Sequence, residues 1–182
     1  MRRILLMRHA KSDWPNGVAD HDRPLAARGR KAAPLMAAYM AAEGLVPDLA
    51  LVSSARRTQD TFALVAPVLA KARTSRSQPD DIPMKTEPRI YEARVEILLT
   101  VLRGIADDVE TLLVVGHNPG MAELTLLLSG GGDRRQLEDL QHKFPTAALS
   151  VIGFTGRWAE LAPFKGRLDR FVTPKSLGGE DD

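Results

Sequence analysis

The sequence predicts an α/β protein, a three-layer α/β/α sandwich around a mostly parallel sheet. Three observations carry that expectation. Apolar runs of strand length stand at residues 4–7 (Ile-Leu-Leu-Met), 49–52 (Leu-Ala-Leu-Val) and 111–115 (Thr-Leu-Leu-Val-Val). Longer Ala- and Leu-rich stretches of helical character separate them. Each run is followed at once by residues able to bind or react, and the carboxyl ends of strands in open α/β sheets are where ligands bind.

Taken in order, residues 4–7 form a buried strand that ends in Arg8-His9. Residues 24–43 read as a helix ending at Gly44, although Pro34 should kink or split it. After the 49–52 strand, Ser53 and Ser54 stand where an N-cap would precede a helix over 56–69. The stretch 73–83, with two prolines and polar neighbours, reads as a surface loop. Residues 84–86 suit an edge strand, and the spacing of Val95, Leu98, Leu99 and Leu102 predicts a helix over 92–103. The 111–115 strand runs into Gly116-His117-Asn118-Pro119-Gly120, where Gly116 allows a sharp turn and close approach to a ligand. A helix over 118–128 should stop at Ser129-Gly130-Gly131-Gly132. Segments 147–154 and 158–161, joined through Thr155-Gly156-Arg157, suggest a closing hairpin. The last residues, 178–182, read as a frayed tail, which leaves a single domain over 1–177 without internal repeats.

Bulk properties narrow the function. A chain of 182 residues with 44% hydrophobic and 26% charged residues fits one domain with a sizeable core. A formal net charge of only +2 gives no reason to expect a nucleic-acid partner. With no cysteine, a disulfide framework, a thiolate metal site and a cysteine nucleophile are all excluded. No segment has the ~18 consecutive apolar residues of a membrane span, and the start lacks a signal-peptide pattern. A cytoplasmic enzyme is the expectation.

Three strand ends therefore offer Arg8, His9, one of the neighbouring arginines Arg56 and Arg57, and His117. An arginine beside a histidine supplies a fixed cation together with a nucleophile or base for an anionic substrate. An arginine in the first turn of a helix adds charge where backbone N–H groups already favour anions. Taken singly, Arg8-His9 is also consistent with a surface pair, and His117 with a histidine satisfied by nearby backbone. His21 and His142 lie in polar segments and read as solvated, as do Lys11, Arg28 and Arg30. Histidines paired on one helix face, as a zinc site needs, are absent, so no metal is expected.

Together with Leu6-Met7-Arg8-His9-Ala10-Lys11-Ser12, the segments Asp22-Arg23-Pro24-Leu25, Arg28-Gly29, Ser53-Ser54-Ala55-Arg56-Arg57-Thr58, Ile90-Tyr91-Glu92-Ala93 and Val115-Gly116-His117-Asn118-Pro119 form an ordered set. A later stretch, from Ala162-Pro163-Phe164 to Thr173-Pro174-Lys175, extends it nearly to the end. This set resembles the histidine phosphatase superfamily, and within it the SixA-type phosphohistidine phosphatases. The resemblance implies a phosphoglycerate mutase-like topology with an antiparallel strand in the sheet. It implies His9 as a nucleophile that carries the phosphoryl group, a phosphate pocket of Arg8, Arg57 and His117 with Asn118 and Ser12 contributing, and no cofactor. Arg56 would then point elsewhere.

The acid that protonates an ester leaving group is open among Glu92, Asp13 and Asp22, and Glu92 is equally explained as a helix-end carboxylate favoured by the macrodipole. The short segment after His9 leaves little chain for a lid, which favours a phosphohistidine-bearing protein of a phosphorelay or phosphotransfer system as the substrate. A small-molecule phosphomonoesterase or mutase, or an inactive phosphate-binding module, are the alternatives.

Overall fold

The computed structural model describes residues 1–73 and 81–180. Seven strands form one sheet, β1 (Arg2–Arg8), β2 (Leu49–Val52), β3 (Met84–Thr86), β4 (Thr111–Gly116), β5 (Ser129–Gly132), β6 (Leu149–Phe154) and β7 (Gly166–Val172), in the order β3-β2-β4-β1-β6-β7-β5. β6 pairs antiparallel with both β1 and β7, while the pairs β1–β4, β2–β4, β2–β3 and β5–β7 are parallel. The result is a mostly parallel sheet with one reversed strand. Five helices cover it: α1 (Ala27–Ala42), α2 (Arg56–Arg73), α3 (Val95–Arg103), α4 (Gly120–Leu128) and α5 (Arg134–His142). Among the described residues, no helix is long and apolar enough to cross a membrane.

Strand alternation divides the core into two layers. Ile4 and Leu6 of β1, with Leu112 and Val114 of β4, face α3, α4 and Trp158. Leu5, Met7, Leu113 and Val115 face α1 and α2 on the other side. Both faces of the central strands are thus dry, which explains their unbroken apolar runs. Truncating a fully buried leucine such as Leu113 to alanine should cost ~2–5 kcal/mol.

Several elements differ from the sequence expectation. α1 begins at Ala27 and runs as one element through Pro34; Ala33, Met36, Ala37 and Met40 lie buried against the sheet and α2, and that packing outweighs the lost backbone bond. α2 includes Arg73, beyond the expected end at residue 69, and residues 74–80 of the expected 73–83 loop lie outside the described residues. α3 starts at Val95 and not at Glu92, because Glu92 adopts a left-handed φ of 50° that cannot open a right-handed helix.

The partner of β6 is β7, and the 158–161 segment is a 3-10 turn that anchors Trp158 in the core, its indole N–H donating to the Val109 carbonyl at 2.8 Å. Arg167, Asp169 and Arg170 mask the β7 run, and the glycines of β5 mask an edge strand. α5, capped by the Asp133 carboxylate on Gln136 N–H at 3.0 Å, is too polar to be legible from its apolar spacing. In the expected tail, Gly178 and Gly179 N–H still donate to the carbonyls of Lys175 and Pro174.

Candidate active site

Four of the sequence-predicted side chains meet at the carboxyl ends of β1, β2 and β4. Arg8 closes β1 with His9 just beyond it, His117 follows β4, and Arg57 lies in the first turn of α2, after β2. Together with Lys11, Ser12, Arg23, Asn118 and Thr146 they line a cavity of about 240 Å³. The His9 and His117 rings stand 5.3 Å apart, centroid to centroid.

His9 is fixed by the backbone of the next residue. Its Nδ1 lies 2.7 Å from the Ala10 carbonyl, which can only accept, so Nδ1 carries the proton and Nε2 keeps its lone pair. Ala10 N–H in turn donates to Thr61 Oγ1 at 3.0 Å, and that hydroxyl donates to the Arg57 carbonyl, tying the loop after His9 to α2. Burial pushes the His9 pKa down to about 3; the Ala10 bond opposes the shift, and His117, Arg57 and Arg8 add to it. His117 is lowered to about 4, again mainly by burial, then by Arg57. Both rings are therefore neutral around pH 7, the state a nucleophilic imidazole requires.

Ser53 and Ser54 turn away from the expected capping role. Ser53 Oγ lies 2.7 Å from His117 Nε2, and Ser54 Oγ lies 3.0 Å from His21 Nε2. A hydroxyl can donate or accept; in the tautomer where Ser53 donates, His117 Nδ1 carries the proton, and that atom is buried with no hydrogen-bond partner, so it would be a donor facing an anion. Gly116 takes no left-handed conformation. Its missing side chain instead makes room for Met121 and Ile90, since a Cβ would lie 2.9 and 3.1 Å from their carbons.

The cations are held from behind. Arg57 donates through Nη1 to the Asp20 carbonyl at 2.7 Å and through Nη2 to the Asp20 carboxylate at 3.2 Å. The same carboxylate accepts from the Tyr91 hydroxyl at 2.6 Å and pairs with Arg23 at 3.2 Å. These bonds, the Tyr91 one first, lower Asp20 to about 2, and the bond to Asp20, then burial, raises Tyr91 to about 12. Arg8 Nη1 and Asn118 Nδ2 both donate to the Phe144 carbonyl, at 2.9 and 2.8 Å. Ser12 Oγ accepts from Arg23 Nη2 at 2.7 Å.

Asp20, Tyr91, Ser53 and Arg23 are site residues that sequence reasoning did not single out. Asp20 sits in an irregular loop with a single 3-10 turn, where no periodicity marks it. Two surface expectations change as well: His21 stacks edge-on against Tyr91 at 4.8 Å, and Lys11 lines the cavity. Arg56 points out and pairs with Asp60, its side chain 58% exposed against 7% for Arg57. The three acid candidates are not brought into the cavity. Glu92 is exposed and lines an adjacent groove, Asp13 bonds the neighbouring Trp14 N–H, and Asp22 pairs with His21 at 3.7 Å. Among the described residues, no three His, Cys, Asp or Glu side chains gather as metal ligands would.

Comparison with known proteins finds relatives over nearly the whole chain. The profile of the histidine phosphatase superfamily (branch 1) matches residues 4–93, which include Arg8, His9 and Arg57. An uncharacterized protein of Mycobacterium tuberculosis is 35% identical over 171 residues, covering 93% of this chain and all of the relative. Among solved structures, a SixA protein of Nakamurella multipartitia, proposed to be a phosphohistidine phosphatase, superposes with a TM-score of 0.78 at 26% identity, over 95% of this chain and 96% of that one. A second, from Agrobacterium tumefaciens and likewise proposed, gives 0.73 at 28% identity over 95% and 98%. Fold, matched segments and the convergence of two arginines with two histidines at three strand ends agree: the chain belongs to the histidine phosphatase superfamily.

Proposed function

We propose that the protein is a metal-independent phosphatase that removes the phosphoryl group from phosphohistidine in a partner protein of a phosphorelay or phosphotransfer system, by way of phosphoryl-His9. The observation that carries this reading is the lining of the cavity. Among the described residues its lining holds Arg8, Lys11, Arg23 and Arg57 but no carboxylate, so charge neutralisation is well supplied and a carboxylic acid for a leaving oxygen is not. A nitrogen leaving group does not need one. The likeness to SixA proteins supports the same substrate class.

In this mechanism His9 Nε2 attacks phosphorus in line as the P–N bond of the substrate breaks. The electron pair of that bond stays on the departing ring nitrogen, and the other nitrogen of that ring keeps its proton. Arg8, Arg57 and the His117 N–H bind the equatorial oxygens, donors already in place before charge develops. Phosphorylation leaves the His9 ring cationic, with Nδ1–H still held by the Ala10 carbonyl. Water then attacks phosphorus, the Nε2–P bond breaks, and neutral His9 and inorganic phosphate are released.

The experiment is a comparison of kcat/KM on a phosphohistidine-bearing protein, on phosphoramidate and on a panel of phosphate esters. Preference for the P–N substrates by tenfold or more supports the reading; preference for an ester moves the protein to the phosphomonoesterases or mutases of its superfamily.

A further inference from the structure

Beside the catalytic cavity runs a groove of about 1140 Å³ between the residue 92–96 segment, α4 and α5. His117 and Asn118 belong to both, so anything filling the groove abuts the phosphoryl site directly. At the upper end of or beyond the size range of small-ligand pockets, the groove is more than a phosphate ester needs. Its floor is apolar, with Leu126, Leu127 and Leu137 only partly buried by the chain itself. At its rim Phe164 is 68% exposed, and its backbone takes a left-handed φ of 62°, a costly conformation for an aromatic residue. Its N–H donates to the Leu127 carbonyl at 2.8 Å, which fixes the backbone that carries the ring.

Charge divides the two neighbours sharply. The cavity is lined by four cations and no anion, whereas the groove carries Glu92, Glu96 and Glu123 against Arg94, itself 3.8 Å from Glu96. A complementary ligand bears a dianion at one end and, next to it, cationic and apolar side chains. We propose that the groove docks the face of the phosphohistidine-bearing partner on which lysine or arginine and an apolar residue flank the phosphohistidine. This rests on the phosphatase reading and adds the chemistry of the partner's surface. Phe164 and the leucines take the apolar side chain, and the three glutamates take the basic ones.

The test uses two peptides carrying phosphotriazolylalanine, which resists hydrolysis, in place of phosphohistidine. One has leucine and lysine flanks; in the other the lysines are replaced by glutamates. The native chain should bind the lysine peptide at least tenfold more tightly. The double variant Glu96→Lys, Glu123→Lys should lose or invert that preference. Phe164→Asn, which suits the left-handed backbone, should weaken binding of both peptides several-fold. All three proteins should hydrolyse phosphoramidate, which reaches only the cavity, at the same rate.

Equal binding of the two peptides by every protein, with phosphoramidate turnover intact, overturns the docking surface and leaves the phosphatase reading standing. Absence of phosphoramidate turnover in the native chain overturns the phosphatase reading, while peptide binding still decides the groove. Self-association that Phe164→Asn abolishes, with peptides bound no better than inorganic phosphate, also overturns the proposal and gives the groove to a second copy of the chain.

Discussion

Arg57 and Asp20 are joined twice, through the Asp20 backbone carbonyl and through its carboxylate, so the guanidinium has its orientation set before any substrate arrives. Such a two-point hold matters because an arginine loses less freedom on binding an oxyanion when its fork is already placed. Arg57→Ala should lower kcat by on the order of 10²–10³-fold, the usual loss when a preorganised donor is removed. Asp20→Ala, which keeps the carbonyl bond, should fall between that and the native enzyme. Arg56→Ala should change little, since its side chain is exposed and its partner is Asp60, outside the cavity. Steady-state kinetics of the three variants checks the order, and an Arg56 effect as large as that of Arg57 would contradict it.

Ser53 Oγ holds the His117 ring in place through one 2.7 Å bond to Nε2. Ser53→Ala should keep the fold, because the residue is small and buried at a strand end, yet lower kcat roughly tenfold by freeing the imidazole to rotate or to protonate the other nitrogen. Ser53→Thr should restore most of it. Circular dichroism with kinetics separates this from simple unfolding.

The pH dependence follows from the lowered histidines. Below an ordinary imidazole pKa of ~6.5 an unperturbed histidine would already be charged and unable to attack. His9 at about 3 and His117 at about 4 stay neutral. Corrected for the ionisation of the substrate, kcat/KM should hold nearly flat from pH 7 to pH 5, and an acid limb near 6.5 would contradict the assignment. Stability carries the same sign. The unfolded chain binds protons at these histidines below pH ~6.5 and the folded chain does not, so their contribution is full above that value and is lost as pH falls toward 4 and 3. Urea titrations at pH 7.5 and pH 4.5 should show the lower midpoint at pH 4.5.

In the proposed mechanism Arg8, Lys11, Arg23 and Arg57, which line the cavity, take the place of a divalent ion in neutralising phosphate. Turnover should therefore survive prolonged EDTA treatment unchanged. Activity that disappears and returns with magnesium or zinc would contradict the mechanism.

The layers and the strand ends were legible because β1, β2 and β4 are dry on both faces, and such strands read as continuous apolar runs. Arg8, His9 and His117 were legible because they directly follow regular strands, whereas Arg57 was told from Arg56 only by the resemblance. Asp20 and Tyr91 were not, since both sit in loops and are brought to Arg57 only by tertiary folding. Ser53 was misread for a related reason: its local position suits a cap, but a histidine 64 residues away claims its hydroxyl. Glu92 illustrates the opposite limit. Its spacing suits a helix start, and the left-handed φ that takes it out of the helix has no mark in a glutamate side chain.

Glu92→Gln tests the leaving-group argument. With the carboxylate in the groove and outside the cavity, the substitution should leave phosphoramidate turnover within about twofold. A large loss on phosphoramidate would show that Glu92 reaches the reacting atoms.

The central claim is that His9 Nε2 carries the phosphoryl group in turnover. Rapid acid-free quenching of the enzyme during turnover of ³²P-labelled phosphohistidine protein, followed by alkaline digestion and peptide mapping, reads this directly. The account predicts a base-stable, acid-labile label confined to the peptide containing His9, absent in His9→Ala and accumulating in a variant slowed in hydrolysis. Full turnover by His9→Ala, or label on any residue other than His9, would contradict it.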